Sequence, residues 1–284
     1  MDQRIIQLYD EYTHRPLSRE QFLKSLISLT GSVAAANTIL PLLEGNYKAA
    51  ETIAENELYT ERVEYPSPFG TMKAYLAKPK KGPKFPAVIV IHENRGLNAH
   101  IEDVARRAAA AGYLALAPDG LSTLGGTPAD EDEARQLFSK LNAEENSARF
   151  GAAVNYLNKR DDCTGKVGTV GFCWGGAMAN QLAVTVPELN AAVAFYGRQP
   201  AAVQVSAIKA AVQLHYAELD ERVNAGIADY ETVLKANHIR FELYLYKGTQ
   251  HAFHNDTSSA RYNKEAATHA WSRTLAFFEI YLRS

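Results

Sequence analysis
Cys173 stands at the centre of the run Gly171-Phe172-Cys173-Trp174-Gly175-Gly176, where an apolar, β-rich stretch gives way to a segment of small residues. Glycines two positions to either side of a thiol permit a strand-to-helix reversal too tight for side chains at Gly171 or Gly175. Such a turn lifts Cys173 out of the sheet edge at the amino end of a helix. Backbone N–H groups and the helix dipole there favour a thiolate and, during acyl transfer, an oxyanion. The pattern is that of a nucleophile elbow with sulfur as the attacking atom.

A thiol nucleophile needs a base to take its proton and a third group to orient that base, each placed just after a strand. Asp220 follows the apolar run 212–216, with Glu218 as a rival orienting group; His251 follows the run 241–246, with His254 as a rival base. The order nucleophile, acid, histidine is that of α/β-hydrolases. Histidines at 251 and 254 could also suggest a metal, but no third ligand is evident, so neither metal nor cofactor is expected. A further polar group follows the run 87–92, in His92-Glu93-Asn94-Arg95-Gly96. That loop would supply one oxyanion-hole N–H, from Asn94, to pair with that of Trp174. Glu93 would lie close to Cys173 and hold or orient its proton, unless it pairs with Arg95. His92, His100 and His215 read as structural or loop residues, and Cys163 as a turn residue.

These positions presuppose a particular scaffold. Residues 58–65 and 71–78 read as an antiparallel hairpin across Pro66-Ser67-Pro68-Phe69-Gly70, and 80–86 as a surface linker. Continuous apolar runs at 87–92, 113–118, 167–172, 191–196, 212–216 and 241–246 are typical of buried parallel strands. Helical patterns lie between them at 101–111, 130–141, 147–157, 175–186 and 226–236. The last, at 261–282, places Ala267, Trp271, Leu275, Phe278 and Leu282 on one face. The fold class expected is α/β: an α/β-hydrolase fold with a mostly parallel central sheet and helices on both faces, preceded by a β-hairpin and an N-terminal helical arm.

Composition sets the limits. With 46% hydrophobic and 22% charged residues the chain can build a sizeable core, and a net charge of −2 gives no footprint for nucleic acid or an anionic membrane. Two cysteines are too few for a disulfide framework. Residues 1–57 form a separate arm ahead of a hydrolase domain at 58–284. Within it Ser18-Arg19-Glu20-Gln21-Phe22-Leu23-Lys24 and the apolar stretch to Leu43 resemble a twin-arginine export signal. Glu20 replaces the second arginine and Lys48 interrupts the small-residue region at 46–50. We therefore expect a retained, folded arm and a cytoplasmic protein, the alternative being a periplasmic one. Stable membrane insertion is not expected, because Lys24, Gly31, Asn37 and Pro41 break the apolar stretch. Phe22, Leu23, Leu26, Ile27, Leu29, Ile39, Leu40, Leu42 and Leu43 must be buried, on the chain itself or through a homo-oligomer formed by the arm.

Gly171-Phe172-Cys173-Trp174-Gly175-Gly176, His92-Glu93-Asn94-Arg95-Gly96, Ala117-Pro118-Asp119, Phe195-Tyr196-Gly197, Glu218-Leu219-Asp220 and His251-Ala252-Phe253 together resemble the dienelactone hydrolase family from about residue 60 onward. The resemblance implies attack by Cys173 on an ester carbonyl, His251 as base and acid, Asp220 orienting it, and Glu93 controlling the ionisation of the thiol. It also places Arg95, Tyr196, Arg198 and Phe253 near the substrate. Members that hydrolyse dienelactone clamp its carboxylate with two arginines, one after the Ala-Pro-Asp strand and one four residues past the histidine. Here those places hold the loop 120–126, without arginine, and Asn255. The expected activity is hydrolysis of small carboxylic esters or lactones through a cysteine S-acyl intermediate. Alternatives are a thiol hydrolase for thioesters or short peptides, and a non-catalytic interaction protein on the same fold.

Overall fold
The computed structural model describes residues 1–15, 17–44 and 57–283. Its centre is an eight-stranded sheet of order β1-β2-β4-β3-β5-β6-β7-β8. β1 (Leu58–Ser67) and β2 (Gly70–Pro79) form the antiparallel hairpin, and β2 also runs antiparallel to β4 (Leu114–Pro118). β3 (Phe85–Ile91), β5 (Cys163–Phe172), β6 (Ala191–Phe195), β7 (Ala211–Ala217) and β8 (Phe241–Tyr246) continue the sheet in parallel. The chain leaves β3 for β4 on one side and returns to β5 on the other, so the strand order reverses between β3 and β5. In open α/β sheets a ligand site forms outside the carboxyl ends of the strands at such a point.

The period of two along the strands sorts their side chains onto two helical layers. Ala87, Ile89 and Ile91 of β3 face α6 (Ala143–Asn158) and α7 (Trp174–Thr185), in a core with Phe150, Val154 and Leu182. Val88 and Val90 face α4 (Ala99–Ala110) and α10 (Lys264–Leu282), in a core with Val104, Phe277 and Phe278. The domain also carries α5 (Glu131–Phe138), α8 (Glu221–Asn224) and α9 (Ile227–Ala236). Several element boundaries differ from the sequence expectation. β5 begins at Cys163, which is therefore a buried strand residue rather than part of a turn; Phe85 already belongs to β3 rather than to a linker. The last helix starts at Lys264, and its buried face holds the expected Ala267, Phe278 and Leu282 together with Ala266, Ala270, Thr274 and Phe277, while Trp271 and Leu275 are only partly covered.

Among the described residues, three helices precede the sheet: α1 (Gln3–His14), α2 (Arg19–Thr30) and α3 (Val33–Leu43). Ser18 and Gln21 close a capping box at the start of α2, and Gly31 ends it in the left-handed conformation. Phe22, Leu26 and Leu43 are fully buried in a small core with Tyr9, Tyr12 and Ala260. Each such side chain contributes about 1.5–3 kcal/mol over an exposed one, which holds the three helices together as one unit. Leu29 and Leu42, however, remain exposed. Asn94 Nδ2 donates to Thr13 O at 2.7 Å, Arg19 reaches Asp132 at 2.6 Å, and Ala260 N donates to Leu42 O at 3.1 Å. No single described helix is long and apolar enough to cross a membrane; α2 and α3 together have the length and composition but meet at a bend of 115°. The small-residue region at 46–50 lies outside the described residues.

Candidate active site
The elbow follows from its glycines. A Cβ at Gly171 would lie 1.9 Å from Gly175 O, and one at Gly175 would lie 2.4 Å from Ile91 O. This close approach sets Cys173 at φ 56°, ψ −113°, a strained conformation for a residue with a side chain, and makes it the residue that caps α7. Trp174 opens the helix, so its N–H has no acceptor one turn earlier within it. Asn94 stands across the gap, after β3.

Asp220 and His251 are brought together from the ends of β7 and β8: Asp220 Oδ2 lies 2.5 Å from His251 Nδ1, both side chains buried. Glu218 turns away and accepts from Gly248 N at 2.7 Å. His254 is buried against Phe172 and Phe195, where burial pushes its pKa well below the usual imidazole range. Of the two rival bases, then, only His251 faces Cys173. Glu93 accepts from Asn255 Nδ2 at 2.9 Å and from Tyr196 OH at 3.3 Å, while Arg95 pairs with Glu131 at 3.4 Å instead of with Glu93. His92, His100 and His215 are held in structural contacts, His92 accepting from Gly120 N and His215 bonding Tyr246 OH.

The sequence reading did not include His14. The last residue of α1 places Nε2 3.1 Å from Cys173 Sγ, and its ring lies edge-on to that of His251 with centroids 4.7 Å apart. Nδ1 of His14 lies 3.1 Å from Asp10 Oδ1, one helical turn back. Nε2 of His251 is buried without a hydrogen bond. Burial opposes ionisation of Cys173, but the charges of His14 and His251 outweigh it and bring the thiol down to about 6. Both imidazoles are raised against their own burial: His251 by the charges of Asp220 and Cys173, and His14 by the charge of Cys173 and its bond to Asp10. The ligand atoms of His14, Cys173 and His251 lie within 4.8 Å of one another, the one such donor group among the described residues. Two ligands of one zinc ion sit about 3.5 Å apart in a tetrahedron, so the 3.1 Å N–S separation is that of a hydrogen bond.

Two spaces meet at Cys173. One, of about 20 Å³, is lined by Tyr9, Glu93, Arg95 and Arg261, room for about one water. The other, of about 550 Å³, is open and lined by His14, Phe138, Trp174, Tyr196 and Arg198. Arg95 therefore faces the small space under the arm and not the larger pocket. Phe253, expected at the substrate, is instead fully buried against Phe195, Tyr196 and Tyr246, because the loop that carries it turns back into the core. Arg261, which the motifs did not single out, reaches the small space from before α10 and lies over the Tyr9 ring.

A model of the dienelactone hydrolase family matches residues 72–282. The chain is 33% identical over 250 residues to a Saccharolobus solfataricus protein named "Putative carboxymethylenebutenolidase", covering 75% of this chain and 95% of that one. It is 51% identical over 111 residues to the Escherichia coli "Putative hydrolase fragment YghX", 37% of this chain and 95% of that one. A crystal structure described as "Putative Dienelactone Hydrolase" from Klebsiella pneumoniae superposes with a TM-score of 0.73 at 29% identity, over 80% of this chain and all of that one. With an α/β-hydrolase sheet, a thiol at its elbow and a match across most of its length, this chain belongs to the dienelactone hydrolase family and is a carboxylic ester hydrolase.

Proposed function
We propose that the protein cleaves small carboxylic esters or lactones through an S-acyl intermediate on Cys173. The observation that carries this reading is a strained, nearly buried thiol at a helix amino terminus, in contact with an imidazole and ionising at about 6. The thiolate attacks the carbonyl carbon, and the π pair moves onto oxygen near the N–H groups of Trp174 and Asn94; each oxyanion donor of this kind supplies about 3 kcal/mol. Collapse breaks the C–O bond as His251 gives its Nε2 proton to the departing alkoxide. Neutral His251, held by Asp220, then takes a proton from water; hydroxide adds to the thioester, and C–S cleavage returns the thiolate. Glu93, tied to Tyr196 and Asn255, supports this region without a bond to sulfur.

The 550 Å³ pocket suits a small acyl or alkoxy group against Phe138 and Trp174, with Arg198 at its edge for a polar or anionic substituent. Asn255 stands where a clamp arginine would be and is engaged with Glu93, which argues for a substrate other than dienelactone itself. The test is p-nitrophenyl acetate turnover with mass spectrometry of the quenched enzyme: one acetyl group on Cys173 supports the reading, and turnover by Cys173→Ala overturns it. A panel of esters and lactones differing in charge and acyl length then defines the substrate. We also propose that the arm is retained and the protein cytoplasmic; a periplasmic product shortened near residue 50 in fractionated native cells would overturn that part.

A further inference from the structure
Two histidines point at one sulfur. Each has its Nδ1 against an aspartate: His251 against Asp220 at 2.5 Å and His14 against Asp10 at 3.1 Å. The Asp220 carboxylate accepts from His251 Nδ1, whereas the acceptor at His14 Nδ1 is the Asp10 backbone carbonyl at 2.9 Å, with the Asp10 carboxylate beside it; an acceptor on Nδ1 fixes the tautomer and turns Nε2 toward the partner. The His14 Nε2 makes the 3.1 Å contact with Sγ, whereas the His251 Nε2 has no hydrogen-bond partner among the described residues. His14 is also fixed from outside its own helix. Asn94, a candidate oxyanion-hole residue, donates to Thr13 O; Arg222 of α8, two residues after Asp220, reaches Asp10 at 3.4 Å; and Gln3 bonds Gln250, next to His251. The first helix is thus tied to three of the four loops that build the site.

We propose that His14 is a second catalytic imidazole, donating Nε2–H to the Cys173 thiolate, and that the N-terminal arm is therefore a component of the active site rather than an accessory to it. This rests on Cys173 being the nucleophile. In the resting enzyme the sulfur is a thiolate between two protonated rings. His251 exchanges its proton with the alkoxide and then with water, as above. His14 keeps its proton throughout, stabilising sulfur before attack and again as C–S cleavage restores the thiolate, so no atom or charge is added to the cycle. The charged groups that line the spaces around His14 are Asp10, Glu11 and Arg15 on the arm, Cys173 and His251, Asp220, Glu221 and Arg222 around α8, Glu93 and Arg95 after β3, Glu131 and Arg135 of α5, Arg198 and Arg261. Among the described residues the ring hydrogen-bonds the Asp10 carbonyl, Thr13 Oγ1 and Cys173 Sγ.

The experiment follows the rate of Cys173 alkylation by iodoacetamide against pH in the full-length protein, with p-nitrophenyl acetate kcat/KM alongside, for the wild type, His14→Gln and Asp10→Asn. Losing a cation in contact with sulfur is expected to move the alkylation midpoint up from about 6 by about one pH unit or more. It should lower kcat/KM near pH 6.5 by about tenfold or more, with partial recovery at higher pH where the thiolate re-forms. Asp10→Asn, which leaves the ring in place, should shift the midpoint in the same direction by less, and circular dichroism checks that each variant is folded. An unmoved midpoint in folded His14→Gln overturns the proposal. So does a rise in kcat/KM at every pH, which would make the arm a barrier, or a wild-type rate that collapses with EDTA, which would make the cluster a metal site. If wild-type Cys173 neither alkylates nor acylates, the nucleophile assignment fails and the proposal falls with it.

Discussion

The two aspartate–histidine pairs at Cys173 are built by opposite means. Asp220 and His251 sit on loops after neighbouring parallel strands, 31 residues apart in the chain. Their approach is set by sheet pairing inside the main core, and separating them would mean breaking that core. Asp10 and His14 lie one turn apart on a single helix, so their contact is local and forms wherever α1 forms. What places that pair at the sulfur is the docking of a small helical unit, held together by Phe22, Leu26 and Leu43 and to the domain by Ala260, by Arg261 and Arg135 over its tyrosines and by a handful of polar ties. The sheet-borne pair therefore shares the global stability of the domain, while the arm-borne pair can be lost by a local opening at lower cost. A site can thus take one imidazole from its scaffold and another from an attachment, and the attachment is where its activity is most readily tuned.

The largest effect should come from the group both pairs serve. Cys173→Ala is expected to lower ester turnover by ~10⁴-fold or more with little change in melting temperature, since the side chain lies at a strand tip; turnover near wild type would dissolve the comparison altogether. His251→Ala should cost ~10²–10⁴-fold in kcat/KM, and more than His14→Gln at every pH, because only His251 exchanges protons with substrate. The reverse order would show that the arm carries the base. Loosening the arm comes next: Phe22→Ala removes a fully buried aromatic ring worth about 3–5 kcal/mol. It should raise hydrogen exchange across residues 3–43 and reproduce the pH shift of His14→Gln, while exchange in β5 and β6 stays slow. If β5 and β6 open together with the arm, the two regions are one cooperative unit.

The smallest effect is that of pH on the intact enzyme. The thiol is held below its usual value, so the active thiolate is present above about pH 6 and is lost as pH falls through it. A drop from pH 7 to pH 5 should cost about tenfold in kcat/KM, with the midpoint belonging to the coupled thiol–imidazole group. A profile that rises only above pH 8 would mean that neither imidazole lowers the thiol.

The elbow was legible because its constraint is local: Gly171 and Gly175 are required by clashes with backbone a few residues away or on the adjoining strand, and that demand is written in residue types at fixed spacing. Asp220 and His251 were legible for a related reason. Runs of apolar residues mark buried strands, strands in such a sheet are parallel, and their carboxyl ends must converge, so a polar residue just after each run has few places to go. His251 is preferred over His254 because it falls first after the strand, and packing adds the physical reason, since His254 turns between Phe172 and Phe195. Phe253 was misplaced because loops carry no period from which to read which way a side chain faces.

The sequence by itself determined the strand–helix alternation, the thiol at its reversal and the order of the groups behind it, because those depend on side-chain period, glycine and chain order. The Asp10–His14 spacing was also present in it, as a pair one turn apart on a helix. That it bears on sulfur 159 residues away was decided only by tertiary structure. Phe22, Leu26 and Leu43 hold the helices of the arm together against Tyr9 and Tyr12, and the position of the arm depends on Ala260, on Arg261 over Tyr9 and Arg135 over Tyr12, and on ties such as Asn94 to Thr13 and Arg19 to Asp132. Apolar burial is non-directional and says only that a face must be covered; the surface that covers it, and hence the atom His14 meets, is set by the shape of the folded domain.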